Sequence, residues 1–238
     1  MKTLIRGGTV VNATGRTTAD VLVDGETIAA VLAPGSTLLG FDVAANVDRV
    51  IDASGKYVIP GGIDAHTHME LPFGGTHASD TFETGTRAAA WGGTTSIIDF
   101  AVQTAGQRIE DGLEAWHAKA AGQCAVDYGF HQIVGGVDEA SLKALTRLPD
   151  EGVTSFKMFM AYPGVFYSGD GQLLQAMQVA AEHGLLPMMH AENGPVIDVL
   201  AAQLVAQGKT DPYYHGVARV WQMEEEATHR AIMLADVA

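Results

Sequence analysis

The chain has 238 residues, 47% of them hydrophobic, enough to bury a sizeable core in one large domain or two small ones. Lys and Arg sum to 14 against 28 Asp and Glu, a formal charge of -14 that repels polyanions and sets nucleic acid aside as a partner. Cys124 is the only cysteine, so an internal disulfide and a thiolate-built zinc site are both excluded; a metal must rest on His and carboxylates, and a reducing cytoplasm fits.

From Lys2 to about Val31 the sequence is a series of short β-favouring runs, Leu4-Ile5, Val10-Val11 and Val21-Leu22-Val23, with Asp24-Gly25 as a hairpin signal. This segment has no continuous apolar stretch behind Lys2, and no run in the chain reaches the about 18 residues of a membrane span, so neither export nor membrane insertion is expected. Pro34 to Val47 carries little pattern. Val50-Ile51 and Tyr57-Val58-Ile59 resume the strand signal before the breaker Pro60-Gly61-Gly62, and a domain boundary is expected near residue 55. Residues 1–55 then form part of a small β module, and 56–238 a second domain.

Beyond the boundary, apolar strands alternate with amphipathic helices, the pattern of a parallel β/α architecture. Strands are expected at Ile63 to His68, Thr94 to Ala101, Ala125 to Val134, Val153 to Ala161 and Leu185 to His190. Asp80 with Glu83 reads as a capping box, Gly92-Gly93 as a helix stop, Asp170 as an N-cap and Gly184 as a C-terminal stop. Pro195 suits the first turn of a helix carrying Val196, Leu200 and Leu204, and Glu224 to Val237 reads as one more. A (β/α)8 barrel has eight strands and takes about 250 residues, so five strands over 56–238 read as an incomplete barrel.

Three features carry chemistry. In Asp64-Ala65-His66-Thr67-His68 two histidines stand at i and i+2, which on a strand puts both imidazoles on one face, able to share a metal. The bland alternative is two alternating core or surface histidines, but the pair closes an apolar strand at the C-terminal end, where barrel enzymes build their sites. His190 closes Leu185-Leu186-Pro187-Met188-Met189 in the same way and on its own would be structural. Lys157 sits among apolar neighbours in Ser155-Phe156-Lys157-Met158-Phe159-Met160. Burial there lowers an ammonium pKa and frees an amine that can take up carbon dioxide as a carbamate, turning a cation into a bridging carboxylate for two divalent ions; the alternative is a lysine paired with a buried acid.

Together with Gly92-Gly93-Thr94-Thr95, Asp99-Phe100, Ala161-Tyr162 and His190-Ala191-Glu192-Asn193, and in this order along nearly the whole chain, these motifs resemble the dihydropyrimidinase and D-hydantoinase family of cyclic amidohydrolases. The resemblance implies a metal-dependent (β/α)8 TIM barrel, incomplete in this chain, with part of a small N-terminal β-sandwich. It also implies hydrolysis of dihydropyrimidines or 5-substituted hydantoins to N-carbamoyl amino acids. By the same resemblance two zinc ions are held, with His66 and His68 on the buried one, carboxylated Lys157 bridging both and His190 on the exposed one, while Tyr162 donates a hydrogen bond to the oxyanion. The family pattern continues past residue 238 with a further histidine ligand and an aspartate, so a complementary C-terminal segment is expected, and assembly as a homotetramer is implied.

His215, His229 and Asp236 fall at the wrong places in the repeat to substitute for those later ligands and read as surface residues. Met69 and Glu70 follow the His-x-His, where a dihydroorotase-like chain favours arginine, whereas an allantoinase-like activity shares the fold and metal logic. The family also includes non-enzymatic scaffolds that have lost metal ligands, against which the four ligand-type residues argue. Leu71-Pro72-Phe73 and Val165-Phe166-Tyr167 supply apolar loop surface for a small cyclic imide or ureide substrate, or pack within their loops.

Overall fold

Three strands open the chain, β1 (Lys2–Asn12), β2 (Gly15–Asp24) and β3 (Thr27–Leu32), pairing antiparallel in the order β3-β2-β1. The Asp24-Gly25 turn joins the last two, with Gly25 at φ +62° as the hairpin requires. After the short hairpin β4 (Thr37–Leu38) and β5 (Phe41–Asp42) and a helical turn at Val43–Asn46, β6 (Arg49–Asp52) and β7 (Tyr57–Val58) run parallel to β1 on its other edge. Gly8 permits this closure, because a Cβ there would lie 2.5 Å from Val58 Cγ2. Buried Asp20 ties the bulge in β1 to the next turn by accepting from the amides of Gly7 (2.7 Å) and Gly35 (3.0 Å).

The computed structural model describes residues 1–38 and 40–238, and it divides into two units, Met1–Gly61 and Gly62–Ala238. The division falls after the boundary expected near residue 55, because Tyr57 and Val58 add to the first sheet. The stretch Pro34 to Val47, which carries little pattern in sequence, holds the β4–β5 hairpin, and Leu39 lies outside the described residues.

The second unit begins with β8 (Gly62–Thr67), followed by the small hairpin β9 (Pro72–Phe73) and β10 (Thr76–His77) and helix α1 (Phe82–Gly92). Strands β11 (Thr94–Val102), β12 (Asp127–Ile133), β13 (Ser155–Phe159) and β14 (Leu186–His190) then alternate with helices α2 (Ile109–Ala120), α3 (Glu139–Leu145) and α4 (Asp170–His183). All five strands are parallel in the order β14-β13-β12-β11-β8, each neighbour in space being the neighbour in sequence. This is the curled parallel sheet of an incomplete TIM barrel, as expected. Helices α5 (Gly194–Ala206), α6 (Tyr213–Ala218) and α7 (Trp221–Val237) follow β14.

The core of this unit joins the sheet to its helices: Phe82 of α1, Ile97 of β11, Leu113 and Trp116 of α2, Phe156 and Met158 of β13 and Leu173 of α4 are all buried. Two expected helix starts move by one residue. Thr81, not Asp80, caps α1, because its hydroxyl accepts from the Thr84 amide (3.2 Å) while the Thr84 hydroxyl accepts from the Thr81 amide (3.0 Å). Gly169, not Asp170, precedes α4, and the Gln172 side chain accepts from its amide (3.0 Å). The glycine stops hold: Gly93 and Gly184 both take left-handed conformations, at φ +86° and +68°. No helix among the described residues is long and apolar enough to cross a membrane.

Candidate active site

Because each strand runs in the same direction, their C-terminal ends lie together, and β8 and β14 carry histidines at that end. His66 and His68 come from the end of β8, Lys157 from the middle of β13 and His190 from the end of β14, with Phe159 of β13 in register with His190. His66, Lys157, Tyr162, His190, Glu192 and Arg219 line one cleft of about 490 Å³. His68 joins them through His66, their Nε2 atoms lying 3.2 Å apart. The structure therefore brings all five expected site residues together. His215, His229 and Asp236 are not among the residues lining the cleft.

One ring organises the group. Phe100, fully buried on β11, has its centroid 4.7 Å from the His66 ring, 4.8 Å from His68, 4.8 Å from His131 and 4.9 Å from Lys157 Nζ. Lys157 is only 8% exposed, with the Phe159 ring 5.2 Å from its Nζ on the other side. Burial alone lowers its pKa below the ordinary ammonium value, with no carboxylate raising it, so the buried-acid alternative finds no support. Burial, reinforced by the charges of His66 and Lys157, pushes His68 down to about 4, and burial with Lys157 also lowers His66. Both imidazoles are neutral at pH 7, with lone pairs available.

His190 donates from Nε2 to Glu192 Oε2 (2.9 Å), a carboxylate that can only accept, so a proton sits on Nε2 and Nδ1 is the nitrogen turned away from Glu192. Arg219 Nε lies 3.5 Å from the other Glu192 oxygen. Tyr162 stands in the left-handed region at φ +58°, a conformation costing a non-glycine residue roughly 1 kcal/mol or more. Its carbonyl accepts from the amides of Val165 (3.0 Å), Phe166 (3.2 Å) and Tyr167 (3.3 Å), which hold the turn. Gly194 lets α5 start against it, since a Cβ there would lie 3.0 Å from Ala161 Cα and Met160 O. Burial and the Glu192 charge raise the Tyr162 phenol pKa, so it remains a hydrogen-bond donor. Phe73 packs edge-on against the Tyr162 ring at 5.2 Å, placing one residue of the expected Leu71-Pro72-Phe73 loop beside the site.

Do these residues fit divalent ions? Among the described residues buried His68 Nδ1 finds no hydrogen-bond partner, and the facing Nε2 atoms of His66 and His68 can share only one proton, so the pair keeps ring nitrogens that these residues do not satisfy. Among the described residues no group of three His, Cys, Asp or Glu side chains gathers; the converging set contains a lysine where a carboxylate ligand would stand. A carbamate on that lysine would supply the missing oxygen ligands, and with it the donor set would fit.

Sequence reasoning passed over Glu192 and Arg219 as site residues, and gave no role to Asp99, Phe100 and His131. Glu192 carried a signal, since a carboxylate two residues after a candidate ligand histidine is placed to hold its ring.

Residues 57–212 match the Amidohydrolase family. The chain is 62% identical over its whole length to a D-hydantoinase of Streptomyces coelicolor, spanning 50% of that protein, and 41% identical to a dihydropyrimidinase of Rattus norvegicus, with 98% of this chain and 44% of that one covered. The crystal structure of dihydropyrimidinase from Brevibacillus agri superposes over all of this chain and 50% of that one with a TM-score of 0.93 at 46% identity. The chain spans about half the length of the curated relatives it matches.

Proposed function

Since the chain belongs to the amidohydrolase family, we propose that it supplies the metal-binding half of an enzyme that hydrolyses the ring amide of 5-substituted hydantoins or dihydropyrimidines, giving N-carbamoyl amino acids. The observation that carries this reading is the convergence of His66, His68, Lys157 and His190 from three strands on one cleft that also holds Tyr162.

In this reading His66, His68, carboxylated Lys157 and His190 would hold two divalent ions, zinc by resemblance, the two β8 histidines toward one and His190 toward the other. Bound there, such ions would supply Lewis acidity and would lower the pKa of water toward neutral pH. The chain's own groups do the rest. Phe100 and Phe159 exclude water around Lys157 and keep its amine neutral enough to react with carbon dioxide. Glu192 accepts from His190 Nε2 and so fixes the orientation of that ring. Tyr162 donates its phenolic O–H to the carbonyl oxygen as negative charge builds on it. The ring C–N bond breaks, the water oxygen stays with the new carboxylate and a proton goes to the departing nitrogen. Ligands from beyond this chain, a complementary C-terminal segment and assembly as a homotetramer in the cytoplasm belong to the same proposal.

Metal analysis of the protein, purified as the cell makes it, together with turnover of a hydantoin and dihydropyrimidine panel, tests it. The expected result is stoichiometric divalent metal, activity that chelation removes and added metal restores, and a native mass increased by one carbon dioxide that acid strips. Absence of both metal and turnover sinks it in favour of a scaffold of the same fold.

A further inference from the structure

The ladder between β8 and β11 breaks where the two histidines stand. Ile97 faces Asp64 and Asp99 faces Thr67, three steps on β8 against two on β11, so β8 carries one extra residue. Two buried side chains act at this irregularity, one from each face.

Asp99 is fully buried, and four donors saturate it. Its Oδ2 accepts from the Thr67 hydroxyl and the Met69 amide, both at 2.8 Å; its Oδ1 accepts from the Phe100 amide (2.8 Å) and the Trp116 indole of α2 (3.0 Å). One oxygen thus grips β8 and the other grips β11 and α2. From the Phe100 side, His131 on β12 bonds through Nε2 to the Ala65 carbonyl (3.0 Å) and through Nδ1 to the Ser155 hydroxyl on β13. A carbonyl only accepts, so Nε2 carries the proton and Nδ1 accepts from Ser155, which satisfies the ring. Residues 65, 67 and 69 are therefore each held by a buried group, while 66 and 68 between them carry the imidazoles.

We infer that Asp99 and His131 are positioning residues that clamp the odd-numbered positions of the irregular strand end, so that His66 and His68 present their nitrogens to a common cation. The inference rests on the metal reading above. A saturated, buried polar network is rigid, and rigidity of the groups behind a ligand sets how well it binds.

The test titrates cobalt(II), followed by its visible absorption, into the chelated intact protein and compares matched variants whose folding is checked by thermal melting. Thr67→Val keeps shape but loses the Oδ2 bond, Thr67→Ser keeps the hydroxyl, and Trp116→Phe loses a bond to Oδ1 without touching β8. Thr67→Val weakens cobalt binding about tenfold to a hundredfold and changes the absorption band, while Thr67→Ser and Trp116→Phe stay within about twofold of the parent. A second pair reads the other face: His131→Phe loses both bonds and weakens binding, and His131→Gln, which keeps a donor toward Ala65, recovers part of the affinity. Unchanged affinity in Thr67→Val, or equal losses in Thr67→Val and Trp116→Phe, overturns the clamp and leaves the metal reading standing. A parent protein that binds no cobalt overturns both.

Discussion

β13 and β8 deliver side chains to the same cleft under opposite circumstances. β13 lies between β12 and β14 and is buried at all five positions, with Phe156 and Met158 in the core beneath Lys157. β8 pairs with β11 alone among the described strands, and its ladder is irregular where the histidines stand. A side chain can be aimed by the volume packed around its strand or by hydrogen bonds to its strand's backbone. The first arrangement yields to lost volume and the second to lost donors and acceptors, so substitutions in the two strands should separate stability from binding.

Lys157→Met carries the largest expected effect. It keeps length and burial on β13 but cannot form a carbamate, so turnover falls at least about a thousandfold, the loss of several kcal/mol of transition-state stabilisation. Steady-state kinetics and native mass reveal it, and retained activity would break the comparison at its strongest point. Met158→Ala sharpens the packing side: removing a buried side chain from β13 costs about 3 kcal/mol by urea unfolding, while the cobalt affinity of the folded protein holds. Tyr162→Phe, in the turn that β13 leads into, lowers kcat about a hundredfold with little change in KM, because the lost bond forms only as charge develops. Equal changes in both constants would make Tyr162 a substrate-binding group instead.

The smallest effect is a pH dependence, and it belongs to the β8 side. Burial lowers the pKa of His131 and takes that of His68 to about 4, whereas in an unfolded chain both titrate near about 6.5. Below that pH the unfolded chain binds protons that the folded one refuses. The stability of the metal-stripped protein is thus fully present above about 6.5 and declines as pH falls toward 4. A flat urea midpoint across that window would argue against neutral, buried imidazoles.

The β13 side of this comparison was far more legible in the sequence than the β8 side. The five strands declare themselves as apolar runs set between helix and turn signals, and Lys157 is conspicuous for being charged inside one of them. His66 and His68 were visible by their spacing alone. What holds them was not, because the Asp99–Thr67 bond joins residues 32 apart and the His131–Ala65 bond residues 66 apart, and only the register of the folded sheet decides that these meet. The helix starts slipped by one residue for a local reason: Asp80 and Thr81 both offer a side-chain oxygen near the Thr84 turn, and the structure uses the hydroxyl for the cap while Asp80 accepts from the Thr84 hydroxyl (3.1 Å).

Phe100 touches the rings of His66, His68 and His131 and the amine of Lys157 at once. Each of those neighbours sits on a different element from the others or answers to a different constraint, so no single compensating substitution can accommodate a larger or smaller residue at that place. A library built on this chain should therefore find position 100 nearly closed to stepwise exchange, yielding only when changes on β8, β12 and β13 are introduced together.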